Sequence, residues 1–224
     1  MTFLAELFPF VKGPALLKAT LDTLYMTAFS GLATLVLGLA LGVLLFLTSP
    51  GQQLASKPVY FILSVIVNIL RAIPFIILLV LLIPFTKIVV GTILGTNAAL
   101  PALIFGTAPF YARLVEIAFR EVDKGVIEAT RAMGGRLSTL IFRVLIPESA
   151  PALVSGLSVT LIALVSFTAM AGAIGAGGLG DLAYKEGFQR NHRDVTLVAT
   201  LVILAIVFVI QISGDRLTRW LDKR

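Results

Sequence analysis

The charged stretch Glu128-Ala129-Thr130-x3-Gly134, followed by Val144-Leu145-Ile146-Pro147, interrupts an otherwise very apolar chain and decides how the fold is interpreted. Between Asp123 and Arg143 the chain carries two acidic and four basic residues. Charges at that density are too costly for the hydrocarbon core of a bilayer. The stretch therefore predicts an aqueous loop, at residues 120–148, between membrane-spanning helices.

The loop contains the signals of two short helices. Asp123 can cap the first, because a carboxylate accepts hydrogen bonds from the free N–H groups of a helix N-terminus and complements the helix dipole. Gly134 and Gly135 are expected to end that helix, since glycine tolerates the left-handed C-cap conformation. A second helix is predicted to start at Ser138 and to be stopped by Pro147.

One face of the first helix is mildly apolar. Its residues follow the i, i+3, i+4, i+7 spacing of a helix surface, namely Val126, Ala129, Thr130 and Met133. A polar membrane loop with such a face is expected to dock on another protein. The alternative is an amphipathic surface helix without a partner, which helical spacing alone favours.

Composition independently indicates a membrane protein. The chain is 58% hydrophobic and 13% charged, far from soluble averages in both respects. Four uncharged runs each reach the ~20 residues that cross a hydrocarbon core, and a fifth is broken only by Arg71. The predicted fold is an all-α integral membrane protein with five spans, at about 23–48, 58–84, 97–119, 150–172 and 195–214.

The basic residues predict the orientation. With five spans, one set of loops and ends holds eleven lysines and arginines, and the other holds six. The richer side faces the cytoplasm by the positive-inside rule, which puts the N-terminus outside and the charged loop and the tail 215–224 inside. Residues 1–22 are expected to be an outer interfacial segment rather than a cleaved signal peptide. The net charge of +6 requires no nucleic acid, because no nucleic-acid motif accompanies it.

The loop resembles the "EAA" motif of ATP-binding-cassette (ABC) importer permeases, whose pattern is E-A-A-x3-G-x9-I-x-L-P. Glu128, Ala129, Gly134 and Pro147 match, while Thr130, Val144 and Ile146 are conservative replacements. The resemblance implies a type I importer permease fold, in which this loop forms a coupling helix that inserts into a groove of a cytoplasmic ATPase. The residues expected to couple to the ATPase are Glu128, Ala129, Thr130, Met133, Gly134 and Pro147.

The second span carries another resemblance, at Asn68-x2-Arg71-Ala72-x-Pro74-Phe75, to a run found in amino-acid importer permeases of the same family. An arginine at membrane depth is costly and often functional. Arg71 and Pro74 are therefore candidates for the translocation path, with Pro74 bending the helix. The competing interpretation is that Arg71 lies near the end of a short or broken helix and snorkels to water.

The glycine-rich stretch after the fourth span matches the dinucleotide fingerprint by letters, at Gly175-x-Gly177-x-x-Gly180. That motif needs a preceding strand, whereas this stretch follows a membrane helix. We expect a helix that frays into turns, which glycine permits. Through Gln189-Arg190 the stretch resembles the methionine importer permeases of this family in particular, which have five spans.

Met170 lies just before these glycines and is the only bulky residue among small neighbours. One hypothesis places Met170, Ser166 and Gly172 on the translocation path, where Met170 from two copies forms an apolar outer gate. The other makes Met170 a packing residue, as most membrane methionines are.

The sequence contains no motif typical of a catalytic, metal or nucleotide site. It has no cysteine, one histidine and no P-loop, so we expect no metal, no cofactor and no catalysis in this chain. ATP and Mg²⁺ would be bound by the partner ATPase. Glu116 and Arg120 are expected to form an i, i+4 ion pair at the end of the third span.

Five spans are few for a pore that docks two ATPases, and Gly38-x3-Gly42 permits close helix contact. A homodimer is therefore predicted, with two cytoplasmic ATPases and an extracytoplasmic binding protein or lipoprotein.

The predicted function is the permease subunit of an ABC importer in the bacterial inner membrane. The resemblance implies an amino-acid substrate, methionine in particular, with another small amino acid or organic solute as the alternative. The alternative from another class is a stand-alone secondary transporter or channel, which would need an ion-coupling carboxylate in the middle of a span. The five predicted spans have none there, which disfavours this alternative.

Overall fold

The computed structural model describes residues 8–222, and this part of the chain contains helices and connecting turns but no β-strand. Two segments, Leu140–Leu145 and Ala183–Gln189, are π-helical. The α-helices are α1 (Gly13–Thr48), α2 (Lys57–Ala72), α3 (Phe75–Leu81), α4 (Ile83–Val90), α5 (Thr96–Arg120), α6 (Lys124–Ala132), α7 (Leu137–Thr139), α8 (Ile146–Ala173), α9 (Gly178–Leu182) and α10 (Arg193–Leu221).

Four helical stretches are long and apolar enough to cross a membrane: α1, α5, the run Leu137–Ala173 and α10. The pair α2 and α3 makes a fifth if the two are counted as one bent span. The all-α membrane fold predicted from composition is confirmed.

The bend between α2 and α3 lies at Pro74 and turns the helix axis by 107°. Proline has no N–H and its ring clashes with the preceding turn, so a helix cannot run through it without distortion. Pro74 instead begins the next helix, and its carbonyl oxygen accepts from the N–H groups of Ile77 and Leu78. The predicted span 58–84 therefore consists of α2, α3 and the first residues of α4.

Helix α1 begins at Gly13, ten residues before the predicted start of the first span. Its 36 residues correspond to about 54 Å at 1.5 Å per residue, more than the ~30 Å of a hydrocarbon core. No proline interrupts the helix after Pro14, which stands in its first turn, where proline is tolerated. Part of the predicted interfacial segment 1–22 is thus helical, while residues 1–7 lie outside the described part of the chain.

The chain divides into two compact units. Among the described residues, the first unit comprises 8–32, Ile73–Gly106 and Leu161–Ile210. The second unit comprises Ala33–Ala72, Thr107–Thr160 and 211–222.

In the second unit, α1 and α5 pack closely through small residues. A Cβ atom at Gly38 would lie 2.8 Å from Tyr111 Cδ1, and a Cβ atom at Gly42 would meet the Val115 side chain. The hydroxyl groups of Thr34 and Thr107 share a 2.6 Å hydrogen bond in the same contact. The close helix contact predicted from Gly38-x3-Gly42 is confirmed, but it is made within the chain, so this pair of glycines is no longer an argument for a homodimer.

In the first unit, a glycine-rich crossing joins the end of α8 to α9. Cβ atoms at Gly172 and Gly180 would collide with the backbone of the opposite segment, at Asp181 and Ala169 respectively. Gly175 and Gly177 between the two helices, and Gly178 at the start of α9, all have positive φ, a conformation that glycine adopts without steric cost. The predicted fraying into turns is confirmed, and α8 ends at Ala173.

Candidate coupling loop and path residues

Both ends of α6, the first helix of the charged loop, are closed by hydrogen bonds. At the N-terminus, Asp123 Oδ1 accepts from the N–H groups of Gly125 at 2.6 Å and Val126 at 3.3 Å. At the C-terminus, Gly134 has φ +72°, its N–H donates to Arg131 O at 3.0 Å, and the Gly135 N–H donates to Thr130 O at 2.9 Å. This pair of bonds is a Schellman motif, and both predicted caps are confirmed.

The buried face of α6 is formed by Ile127 and Thr130, which are 5% and 7% exposed. Ile127 belongs to the apolar core of the second unit, together with Leu140 and Leu145. The Thr130 hydroxyl donates to Val126 O at 2.8 Å, so the hydroxyl has a hydrogen-bond partner although it is buried. Helical spacing predicts that Thr130 faces outward with Val126, Ala129 and Met133. That prediction is wrong, because Thr130 is buried.

The outward face of α6 carries the other three residues of the apolar face predicted from the sequence. Val126, Ala129 and Met133 are exposed, Met133 by 80%, and Glu128 is exposed beside them. Phe142, in the π-helical segment that follows, is also exposed. We call Val126, Ala129, Met133 and Phe142 the loop's apolar surface. Lone apolar side chains on a surface are ordinary, but four on one aqueous loop are more typical of an interaction surface.

The second half of the loop differs from the prediction. Arg136, and not Ser138, precedes the short helix α7, and Pro147 does not stop the helix. The chain instead continues through the π-helical segment Leu140–Leu145 into α8, with Pro147 in the first turn of α8. Proline is tolerated there, and the wider π turn before it reduces the clash with the preceding carbonyl. The loop is thus joined to α8 by continuous helix.

The loop is also tied to the connection between α1 and α2. Arg131 Nη2 donates to Gln52 Oε1 at 3.1 Å. Gln52 is a residue that sequence reasoning missed, and no local pattern could have found it, because the two partners are 79 positions apart.

A buried ion cluster occupies the last two turns of α5. Glu116 accepts from Arg120 Nη2 at 2.7 Å and from Arg113 Nη1, and Tyr60 of α2 donates its hydroxyl to Glu116 Oε1 at 3.1 Å. The predicted Glu116–Arg120 pair is confirmed, while Arg113 and Tyr60 were not predicted. Glu116 is 1% exposed, so these donors compensate the cost of burying its charge.

Arg71 lies in the last turn of α2, three residues before Pro74. Its side chain is exposed in the second unit, and its guanidinium carbon lies 5.7 Å from the centre of the Phe110 ring, a cation–π distance. Among residues 8–222 it forms no ion pair. A position at a helix end is compatible with snorkelling and with a path role, so the two interpretations of Arg71 both stand.

The three candidate path residues of α8 do not share one face. Met170 is 43% exposed and Ser166, one turn earlier, is also exposed, so these two lie on one side of the helix. Gly172 is buried and packs against the backbone of Asp181. Gly172 therefore permits the α8–α9 crossing and does not line an exposed surface.

The described residues offer no obvious place for a metal: between residues 8 and 222 no three His, Cys, Asp or Glu side chains are grouped to hold one.

Comparison with known proteins gives consistent results. A family model described as the binding-protein-dependent transport system inner membrane component matches residues 35–224. The chain is 62% identical over 217 residues to the methionine import system permease protein of Bacillus subtilis (strain 168), covering 97% of this chain and 98% of that one. It is 46% identical over 209 residues to the D-methionine transport system permease protein of Escherichia coli (strain K12), covering 93% and 96% of the two chains.

The solved structure of the MetNI methionine ABC transporter in inward-facing form contains a similar chain. It superimposes with a TM-score of 0.93 at 44% identity, covering 95% of this chain and 100% of that chain. The range matched by the family model, residues 35–224, includes both the charged loop and the glycine-rich crossing.

Proposed function

We propose that this chain, which belongs to the family of inner membrane components of binding-protein-dependent transport systems, is the permease of a methionine importer driven by a separate ATPase. Its fold is that of a type I ABC importer permease, and permeases of this family are not themselves catalytic. The single observation that carries the energy-coupling part of the proposal is α6, a short helix with both ends capped and an apolar side left exposed.

The capping of α6 matters for coupling. A helix whose ends are closed by Asp123 and by the Gly134 turn moves as one body rather than unravelling when its partner moves. Its buried side is fixed in the core through Ile127, and the π-helical segment connects the loop directly to α8. A displacement of an ATPase bound to Val126, Ala129 and Met133 would therefore reach the membrane helix without passing through flexible chain.

The partners follow from the same surface and from the span count. Each copy offers one docking loop, so a two-fold homodimer would bind two ATPase subunits. Since Gly38 and Gly42 are used inside the chain, the contact between copies must involve other faces. The exposed Met170–Ser166 side of α8 is the face we assign to the two-fold axis, where two Met170 side chains would close the path outward.

The orientation proposed is N-terminus outside and C-terminus in the cytoplasm. It is supported by the eleven-to-six distribution of basic residues. This orientation puts α6 on the side where ATP is found and leaves the loop that contains His192 facing an extracytoplasmic binding protein. The chain is a multi-pass protein of the inner membrane.

The substrate proposed is methionine, on the basis of the names that the similar permeases carry. The test is uptake of labelled methionine into proteoliposomes that contain the permease, its ATPase and its binding protein. Uptake that requires ATP and the ATPase, and that unlabelled methionine but not alanine suppresses, supports the proposal. Uptake without the ATPase, driven by an ion gradient, would contradict the importer class. ATP-driven uptake of a different solute would contradict only the substrate.

A further inference from the structure

We propose that the Arg113–Glu116–Arg120 cluster, with Tyr60, binds the phosphate of an anionic phospholipid at the membrane surface. The cluster has more positive than negative charge, because two guanidinium groups share a single carboxylate. Apart from Arg120, the first residue of the loop at 120–148, the cluster lies outside the proposed coupling loop, and none of its residues belongs to the loop's apolar surface or to the proposed path.

The burial of the three side chains differs in a way that leaves charge available. Glu116 is 1% exposed, while the side chains of Arg113 and Arg120 are 31% and 46% exposed. The carboxylate is thus fully covered, and the cations that cover it face outward. Two guanidinium groups carry more N–H donors than Glu116 and Tyr60 can accept. The remaining donors are free to bind an oxyanion from outside.

The geometry is pre-organised for a phosphate. Arg120 is held by Glu116 through both Nε and Nη2, at 3.2 and 2.7 Å, and its Nη2 also donates to the Tyr60 hydroxyl at 3.3 Å. A guanidinium fixed in this way loses little freedom when it binds a second anion. Arg120 uses Nε and Nη2 for Glu116 and Tyr60, which leaves its Nη1 for a phosphate oxygen. Arg113 uses only Nη1 for Glu116, so its Nε–Nη2 edge can offer phosphate two parallel hydrogen bonds.

The level of the cluster fits a headgroup. Arg120 is the last residue of α5, and Arg113 lies seven residues earlier, about 10 Å deeper at 1.5 Å per residue. The pair therefore covers the zone in which headgroups meet hydrocarbon. Ile117 and Phe61, which follow Glu116 and Tyr60 in sequence, are exposed and apolar, as a surface that contacts acyl chains requires. Exposed guanidinium groups together with exposed apolar side chains are expected of a site for a lipid, whereas a soluble anion needs no apolar surface.

The test compares lipid retention in the purified complex of permease and ATPase, by native mass spectrometry after exchange into a mixture of phosphatidylglycerol and phosphatidylcholine. Arg120→Gln removes one surplus charge, and Arg113→Gln with Arg120→Gln removes both. Tyr60→Phe removes a Glu116 hydrogen bond but no charge, and so reports a purely structural effect. Arg216→Gln is the matched charge control, since Arg216 is exposed and forms no ion pair within residues 8–222.

We expect Arg120→Gln to reduce the preference for phosphatidylglycerol about five-fold, and the double variant about twenty-fold, given the contribution of one arginine near an anionic surface. Tyr60→Phe and Arg216→Gln should keep the wild-type preference. An unchanged preference in the double variant would overturn the proposal, as would an equal loss in Arg216→Gln. Absence of any preference in the wild-type complex, the result expected if a protein partner covers the cluster, would overturn it too. Failure of methionine transport would not bear on this test, because retention is measured without substrate.

Discussion

The Gly135 N–H donates to the Thr130 carbonyl oxygen at 2.9 Å, and this hydrogen bond closes the C-terminus of α6. The same contact explains why position 135 is glycine: a Cβ atom there would lie 2.7 Å from that carbonyl oxygen. Gly134, by contrast, has open space around it and is constrained only by its φ of +72°. The two adjacent glycines therefore serve the cap for different reasons, one steric and one conformational.

Gly134→Val should uncouple the transporter without preventing membrane insertion. Valine in a left-handed conformation costs on the order of 1–2 kcal/mol, which opens the C-cap of α6 although no side chain clashes. We expect normal amounts of complex in the membrane and loss of transport-coupled ATP hydrolysis. Gly134→Asn is the matched control, because asparagine tolerates this conformation, and it should retain most coupling. Wild-type coupled transport in the valine variant would show that the cap is dispensable.

Gly42→Leu should destabilise the second unit while leaving the number of permease copies unchanged. A leucine side chain at this position must displace Val115 and the α5 backbone, and such overpacking costs about 1–3 kcal/mol. Thermal unfolding in detergent measures the first effect, and light scattering of the intact complex measures the second. Ala40→Leu, at an exposed position of the same helix, should change neither. A Gly42→Leu protein that stays stable but falls apart into single copies would return this glycine pair to a dimer interface.

Cysteines placed at Arg136 and Gln189 should label from opposite sides of the membrane. The chain has no native cysteine, and both positions are exposed, so an impermeant maleimide reports only on sidedness. Arg136→Cys should react in inverted vesicles and Gln189→Cys in right-side-out vesicles. Labelling of both from one side would mean that α8, the helix between them, does not cross the membrane. Labelling with the two sides exchanged would contradict the proposed orientation, as expected if the bent pair α2 and α3 is not one span.

Some of these features could be predicted from the sequence, and others could not, for a physical reason. The Asp123 cap, the left-handed Gly134 and the Glu116–Arg120 pair are local, since each depends on residues within one or two helical turns. The burial of Thr130 and its grouping with Ile127 depend on what packs beneath α6. The Arg131–Gln52 hydrogen bond and the internal use of Gly38 and Gly42 depend on contacts between distant segments, which spacing does not encode.

Pro147 shows a further limit of local rules. A proline predicts the end of a helix when it is taken alone, yet here α8 begins one residue before it. The π-helical segment Leu140–Leu145 carries the helix up to that point, and burial of Leu140 and Leu145 stabilises it. Tertiary packing thus outweighs a strong local signal.

Met170→Cys should form a disulfide between two permease copies when the outer path is closed. The side chain is exposed in the single chain, as a residue on a two-fold axis must be, and it has Ser166 beside it on the same side of α8. We expect a cross-linked dimer that no longer takes up substrate, reversed by reductant. Leu201→Cys, at an exposed position of a different helix, α10, is the control for chance collision. Cross-linking that fails in every nucleotide state would place Met170 against lipid or in packing.

Met133→Asp tests most directly whether the exposed side of α6 couples ATP hydrolysis to transport. Met133 is 80% exposed, so a charge there should not disturb folding, but it should be expelled from an apolar contact with the ATPase. Phe188→Asp, at an equally exposed apolar residue outside the loop, is the control. The measurement is ATP-driven methionine uptake and substrate-stimulated ATP hydrolysis in the same proteoliposomes. We expect Met133→Asp to lose both by ten-fold or more, as for an interface anchor worth about 1.4 kcal/mol or more, with Phe188→Asp keeping its ATPase coupling. Full uptake in the Met133→Asp complex would contradict this coupling role.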